Sequence, residues 1–142
     1  MAAGKMSVKL VQEGPVKFKA VNASGASLVI DGPADMGGEN AGLRPMETLL
    51  SALAGCSAVD VIHIMRKQRQ ELTKLEVEVE GERADAVPAV FTKIHLRFVG
   101  HGPIDLAKFG KAVELSKEKY CSVSKMLEPT VEITAEGVLA EG

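Results

Sequence analysis

The chain reads as an α+β protein of order βββ-α-ββ-α-β. Three features of its 142 residues carry that reading. Short alternating runs split by turn residues open it, a long and nearly uncharged helical stretch occupies its middle, and two further alternating runs, a second helical stretch and a last alternating run close it. The length fits one domain over residues 1–142.

The opening strands are Ser7 to Gln12, Val16 to Asn22 and Ser27 to Asp31, with Glu-Gly-Pro and Ala-Ser-Gly between them as turn chemistry. Val16, Phe18 and Ala20 alternate with lysines, so the meander buries one face. Gly32 to Leu43 has four glycines and no periodicity, which predicts a functional or mobile loop. Pro45 suits a first helical turn, and Glu47 places a carboxylate near the positive helix end. The helix runs from about Pro45 to Arg69, apolar nearly all round up to Met65 and then basic. A helix apolar on every face must be covered on every face, and one sheet covers only one side. A homodimer is therefore expected. Asp60, His63 and the many small residues argue for a buried helix rather than a membrane span.

Lys74 to Glu82 alternates strictly, with Leu75, Val77 and Val79 inward. Val90 to Val99 alternates again, so the two form an antiparallel hairpin. Ile104 to Tyr120 is helical, with Leu106, Phe109, Val113, Ser116 and Tyr120 on one stripe, and Tyr120 is expected as a packed ring with its hydroxyl bonded. Pro129 ends a short turn before the last strand, Thr130 to Val138.

Composition excludes some classes. A net charge of −2, dispersed cations and five aromatic side chains without tryptophan give no footprint for nucleic acid or anionic membrane. No basic start followed by an apolar segment marks a secretory signal. Two cysteines without targeting point to a reducing cytoplasm, where such thiols are catalytic or free rather than structural.

Those thiols, Cys56 and Cys121, are the centre of interest. Each could be a small core residue. A functional reading needs a thiolate. Cys56 lies mid-helix, so a cation must be brought to it. Asp60, one turn on, shares its face and would oppose ionisation unless it points away or is neutralised. His63 lies about 10 Å further along the axis, too far for a direct Cys–His pair. Ser122 or Ser124 could cap a new turn and place the Cys121 sulfur near backbone N–H groups. The cysteines and three histidines show no metal-ligand spacing, so no metal is expected. Arg44 and Glu47 are the candidate activating charges. Glu47 lies nine residues before Cys56, on the opposite helix face, so any such contact needs a loop that folds over or a partner subunit.

Arg44-Pro45-Met46-Glu47 leading to Ala54-Gly55-Cys56-Ser57 and Asp60-Val61, with Lys119-Tyr120-Cys121-Ser122-Val123-Ser124 later, resembles the OsmC/Ohr superfamily. The resemblance spans essentially the whole chain. It implies the OsmC-like fold, an intertwined homodimer with a long central apolar helix, and thiol peroxidase activity on organic hydroperoxides in oxidative defence. Cys56 would be peroxidatic and form a sulfenic acid. Cys121 would condense with it to a disulfide, and a thiol or dithiol reductant would reset the pair, with no cofactor. The hydroperoxide-resistance branch takes its activating Arg from N-terminal strands, whereas Met1 to Gly42 holds none. That branch's catalytic Glu falls on Met46 here, one position before Glu47, and Ser122 stands where those enzymes often have Pro. The chain is thus closer to a less characterised OsmC-like branch, with Arg44 as candidate cation. A second reading is a non-catalytic dimeric binding protein for an apolar or thiol-bearing ligand.

Overall fold

The computed structural model describes residues 4–141. The chain forms two compact units, Met1–Leu49 and Leu50–Gly142.

In the first unit, β1 (Val8–Gln12), β2 (Lys17–Asn22) and β3 (Ser27–Asp31) form an antiparallel meander in sequence order. Its register sets Leu10, Ala20 and Leu28 in one row and Phe18 beside Ile30 in the next. The β2–β3 turn is held by Asn22, whose Oδ1 accepts from the Ser24 and Ala26 N–H groups at 3.1 and 3.0 Å. Leu10 and Leu28 remain exposed and line an apolar groove of about 410 Å³ with Val8, Ala20 and Ile30.

The glycine-rich loop is pinned rather than loose. Asp31 is buried at the end of β3, and its carboxylate accepts from the Gly32, Glu39 and Ala41 N–H groups at 2.9, 2.9 and 3.1 Å. Burial works to raise its pKa. The three N–H donors and the Lys17 charge outweigh that, and the carboxyl is held below its ordinary value. A 3-10 turn (Ala34–Met36) lies within the loop. A depressed folded pKa contributes stability that is present above the unfolded value of about 3.9 and lost as pH falls through the folded value. Asp31→Asn should therefore release the loop at neutral pH. Faster amide exchange at Glu39 and Ala41 checks this, and wild-type exchange rates would contradict it.

The long helix α1 (Pro45–Lys67) begins in the first unit and runs through the second. Leu53, Ser57, Val61 and Met65 are its buried residues, one stripe at four-residue steps. Its other faces are open within the chain, with Val59 67% exposed. The helix stops before the expected Arg69, because Arg69 takes the left-handed conformation at φ 56°. The Gln70 N–H then reaches back to the Met65 carbonyl at 3.0 Å, a helix-ending motif that usually announces itself with glycine.

The second sheet joins β4 (Lys74–Arg83), β5 (Phe91–His101) and β6 (Glu132–Leu139) in that spatial order. β4 and β5 make the expected antiparallel hairpin, whereas β5 and β6 run parallel. Parallel neighbours need a crossover, here supplied by α2 (Leu106–Leu115), a π-helical turn (Ser116–Tyr120) and a short α3 (Ser122–Leu127). Ile94, Leu96 and Phe98 of β5 face the core with Phe109, Ala112 and Val113 of α2. The Phe109 ring occupies a slot made by Gly100 and Gly137. A Cβ at Gly100 would stand 2.9 Å from its Cζ, and one at Gly137 would stand 3.1 Å from its Cδ2. On the outer face the alternation leaves charges. Arg97 pairs with Glu78, His95 with Glu136, and His101, at the end of β5, with Glu76, each at 2.6 Å.

Candidate functional site

A π-helical turn decides where Cys121 points. α2 starts at Leu106 behind Asp105, whose carboxylate caps the Lys108 N–H at 2.9 Å. Phe109, Val113 and Ser116 keep the expected stripe buried. After Ser116 the helix widens, and the Cys121 N–H bonds the carbonyl five residues back, Ser116 O, at 2.8 Å. The extra residue advances the buried stripe by one position. Cys121 becomes fully buried, and Tyr120, expected as a packed ring, is turned outward at 50% exposure with Lys119 Nζ 5.3 Å from its ring centre. Leu106, in the first turn, is also exposed.

Cys121 is itself the cap of α3. Its Sγ accepts the Ser124 N–H at 3.4 Å, so the sulfur caps the turn and neither Ser122 nor Ser124 supplies the capping hydroxyl. The Ser124 hydroxyl donates instead to the Lys117 carbonyl at 3.3 Å, which closes the loop over the thiol.

Cys56 sits on α1 beside the buried stripe and is partly exposed, while Cys121 is buried; neither is in a disulfide. Their sulfurs and an Asp60 carboxylate oxygen all lie within 4.8 Å of one another. Chain stretches 65 positions apart thus meet at one point. Asp60 does not point away. It turns toward the thiols, and its Oδ2 accepts the Ser116 hydroxyl at 3.1 Å, a hydroxyl also 3.2 Å from the Ser57 carbonyl.

The electrostatics separate the two sulfurs by burial. Burial pushes the Cys121 thiol above its ordinary value. Hydrogen bonds from the Ser57 hydroxyl and the Ser124 N–H oppose that, and neighbouring Cys56 adds to it, so the net direction is up. Cys121 is therefore the enclosed member of the pair, and Cys56 the partly exposed one. Asp60 also lines a cavity of about 260 Å³ with His63, Ile64, Lys67 and Tyr120.

Arg44 and Glu47 belong to the first unit and are both exposed. The Arg44 N–H donates to Glu47 Oε1 at 2.8 Å, so the Glu47 carboxylate caps the first turn of α1. Ser57 and Ser116 complete the thiol site. Their only signals in sequence are small size, adjacency to Cys56 and a place on the α2 stripe.

A sheet-and-helix protein with two thiols converging behind a widened helical turn defines a dithiol class of α+β proteins. Comparison with known proteins specifies it: the chain belongs to the family described as OsmC-like protein, whose profile matches residues 37–136. It is similar to protein YhfA of Escherichia coli K12, 43% identical over 118 residues that cover 82% of this chain and 85% of YhfA. The crystal structure of a hypothetical protein from Aquifex aeolicus superposes with TM-score 0.81 at 32% identity, covering 98% of this chain and 100% of that one. An organic hydroperoxide resistance protein OsmC from Legionella pneumophila shares the fold, with TM-score 0.71 at 16% identity, covering 96% of this chain and 98% of its own. The expected element order and the OsmC-like placement both hold.

Proposed function

We propose that the protein is a cofactor-free thiol peroxidase that reduces organic hydroperoxides in oxidative defence. The convergence of Cys56 and Cys121 on one point is the single observation that carries this reading. The reachable Cys56 thiolate attacks the O–O bond. It becomes a sulfenic acid, and the alkoxide leaves and is protonated to the alcohol. The enclosed Cys121 thiol then attacks the sulfenic sulfur, forming a disulfide and releasing water. A thiol or dithiol reductant reopens the pair, consuming two electrons per peroxide. The cytoplasm is the compartment whose thiol pool supports this cycle. Purified protein should consume an organic hydroperoxide in the presence of dithiothreitol, and mild peroxide should produce an intrachain Cys56–Cys121 disulfide visible by mass spectrometry. Absence of both would reject the reading.

Within this reading Arg44 is the cation that favours the Cys56 thiolate, with Glu47 holding the helix start from which it projects, and it acts through a folded-over loop or a partner subunit. Arg44→Ala should shift the pH profile of Cys56 alkylation upward. A profile that superimposes on wild type would remove Arg44 from the site.

The reading also includes a homodimer. The open faces of α1 and the exposed apolar groove of the first sheet support it, because exposed apolar surface marks association. Light scattering at micromolar concentration should give twice the chain mass of 15.0 kDa. A stable monomer would contradict it.

One observation favours the alternative of a non-catalytic binding protein for an apolar or thiol-bearing ligand: the first sheet presents an apolar groove of about 410 Å³. Two unreacted thiols after peroxide treatment would select that alternative.

A further inference from the structure

We propose that Cys56, Asp60 and Cys121 form a three-ligand site for a thiophilic divalent cation, with zinc as the fitting ion. This goes beyond peroxide reduction, since it requires the same two sulfurs but no turnover.

The donor set argues first. Two sulfurs and one carboxylate oxygen within 4.8 Å of one another suit a borderline-soft metal and not calcium or magnesium, which take oxygen ligands. Tetrahedral zinc, at about 2.3 Å to sulfur and about 2.1 Å to oxygen, needs ligand-to-ligand edges of roughly 3.6–3.8 Å. The three ligand atoms of the observed cluster, all within 4.8 Å of one another, stand near that span. Cys56 and Asp60 stand four residues apart on one helix, the spacing that presents two ligands on one face. Cys121 is brought to them by the widened turn.

The surroundings argue next. The Ser124 N–H donates to the Cys121 sulfur, and the Ser116 hydroxyl donates to Asp60. Donors of this kind orient anionic ligands and support metal sites from behind. Among the described residues Asp60 makes no ion pair within 4.0 Å. A carboxylate beside two thiols, not engaged in an ion pair, is open to an exogenous cation. Three protein ligands leave a fourth position for water, on the side where Cys56 and Asp60 are partly exposed.

Binding is not a redox step. Both thiols lose their protons to solvent as two sulfur–zinc bonds form, and the carboxylate adds the third, so the centre carries net charge −1 and two protons are released per zinc. The bound ion holds both sulfurs, which blocks disulfide formation while it is present.

The test uses the reduced, metal-free full-length protein. Zinc addition should release two protons per chain in weakly buffered solution and slow alkylation of both thiols, with one zinc retained per chain after dialysis. Cobalt should give a sulfur-to-metal charge-transfer band that zinc abolishes. Asp60→Asn and Cys121→Ser should each weaken zinc binding by at least about tenfold. Wild-type protein alone decides the matter if a variant does not fold: no proton release, no charge-transfer band and unslowed alkylation would overturn the site. Zinc retained equally after conversion to the disulfide, or equal affinity in Asp60→Asn, would place the ion elsewhere and overturn it as well. Peroxide consumption without zinc binding removes only the metal site. Zinc binding without peroxide consumption removes only the peroxidase reading.

Discussion

Cys56→Ser protein consumes organic hydroperoxide no faster than buffer with dithiothreitol alone. A serine hydroxyl at that position stays protonated at neutral pH and lacks the polarisable lone pair that attacks the O–O bond, so the loss is complete rather than partial. Cys121→Ser behaves differently. The first attack survives, because the attacking sulfur is untouched, but the sulfenic acid has no neighbour within reach and persists or oxidises further. One peroxide per chain is then reduced quickly, and later turnovers depend on direct attack by the external thiol. A stopped-flow burst equal to one peroxide per chain checks this pair. Equal steady-state activity in Cys56→Ser and wild type would dismiss the thiol mechanism.

Phe109→Ala costs about 3–5 kcal/mol in chemical denaturation. The ring is fully buried and fills a slot that exists only because Gly100 and Gly137 lack side chains. Glycine at both slot positions prevents neighbouring side chains from collapsing into the space, so the cavity remains largely open and the cost falls at the large end for the substitution. The loss also loosens α2 from β6, and with it the crossover that presents Cys121. Destabilisation below about 1 kcal/mol would show that the ring is not a principal tie between helix and sheet.

The strands were legible where chemistry alternates. Leu75, Val77 and Val79 against their glutamates, and Ile94, Leu96 and Phe98 against Lys93, His95 and Arg97, settle both face and hairpin from residue type alone. The helix core was legible for the same reason, since Phe109, Val113 and Ser116 fall on one stripe. Three features were not. Arg69 ends α1 in a conformation that sequence assigns to glycine or asparagine. Asp31 turns a glycine-rich segment into a fixed loop through a carboxylate whose partners are main-chain N–H groups, which carry no letter in the sequence. The widened turn at Ser116–Tyr120 shifts the stripe by one residue and exchanges the fates of Tyr120 and Cys121. The thiols themselves stood out as the chain's two cysteines, but the turn of Asp60 toward them came from Ser116, far away in sequence. A metal-ligand cluster assembled from residues 56, 60 and 121 has no spacing to recognise.

The parallel pairing of β5 and β6 fixes the order of events at the ribosome. Cys56 leaves the exit tunnel 65 residues ahead of its partner, and the crossover that carries Cys121 is anchored only when the last strand docks. A nascent chain halted before Cys121 therefore displays a solitary first thiol, open to adduct formation with small cellular thiols or to cross-linking with other chains. Docking of β6 beside β5 is the event that turns two independent sulfhydryls into one chemical unit.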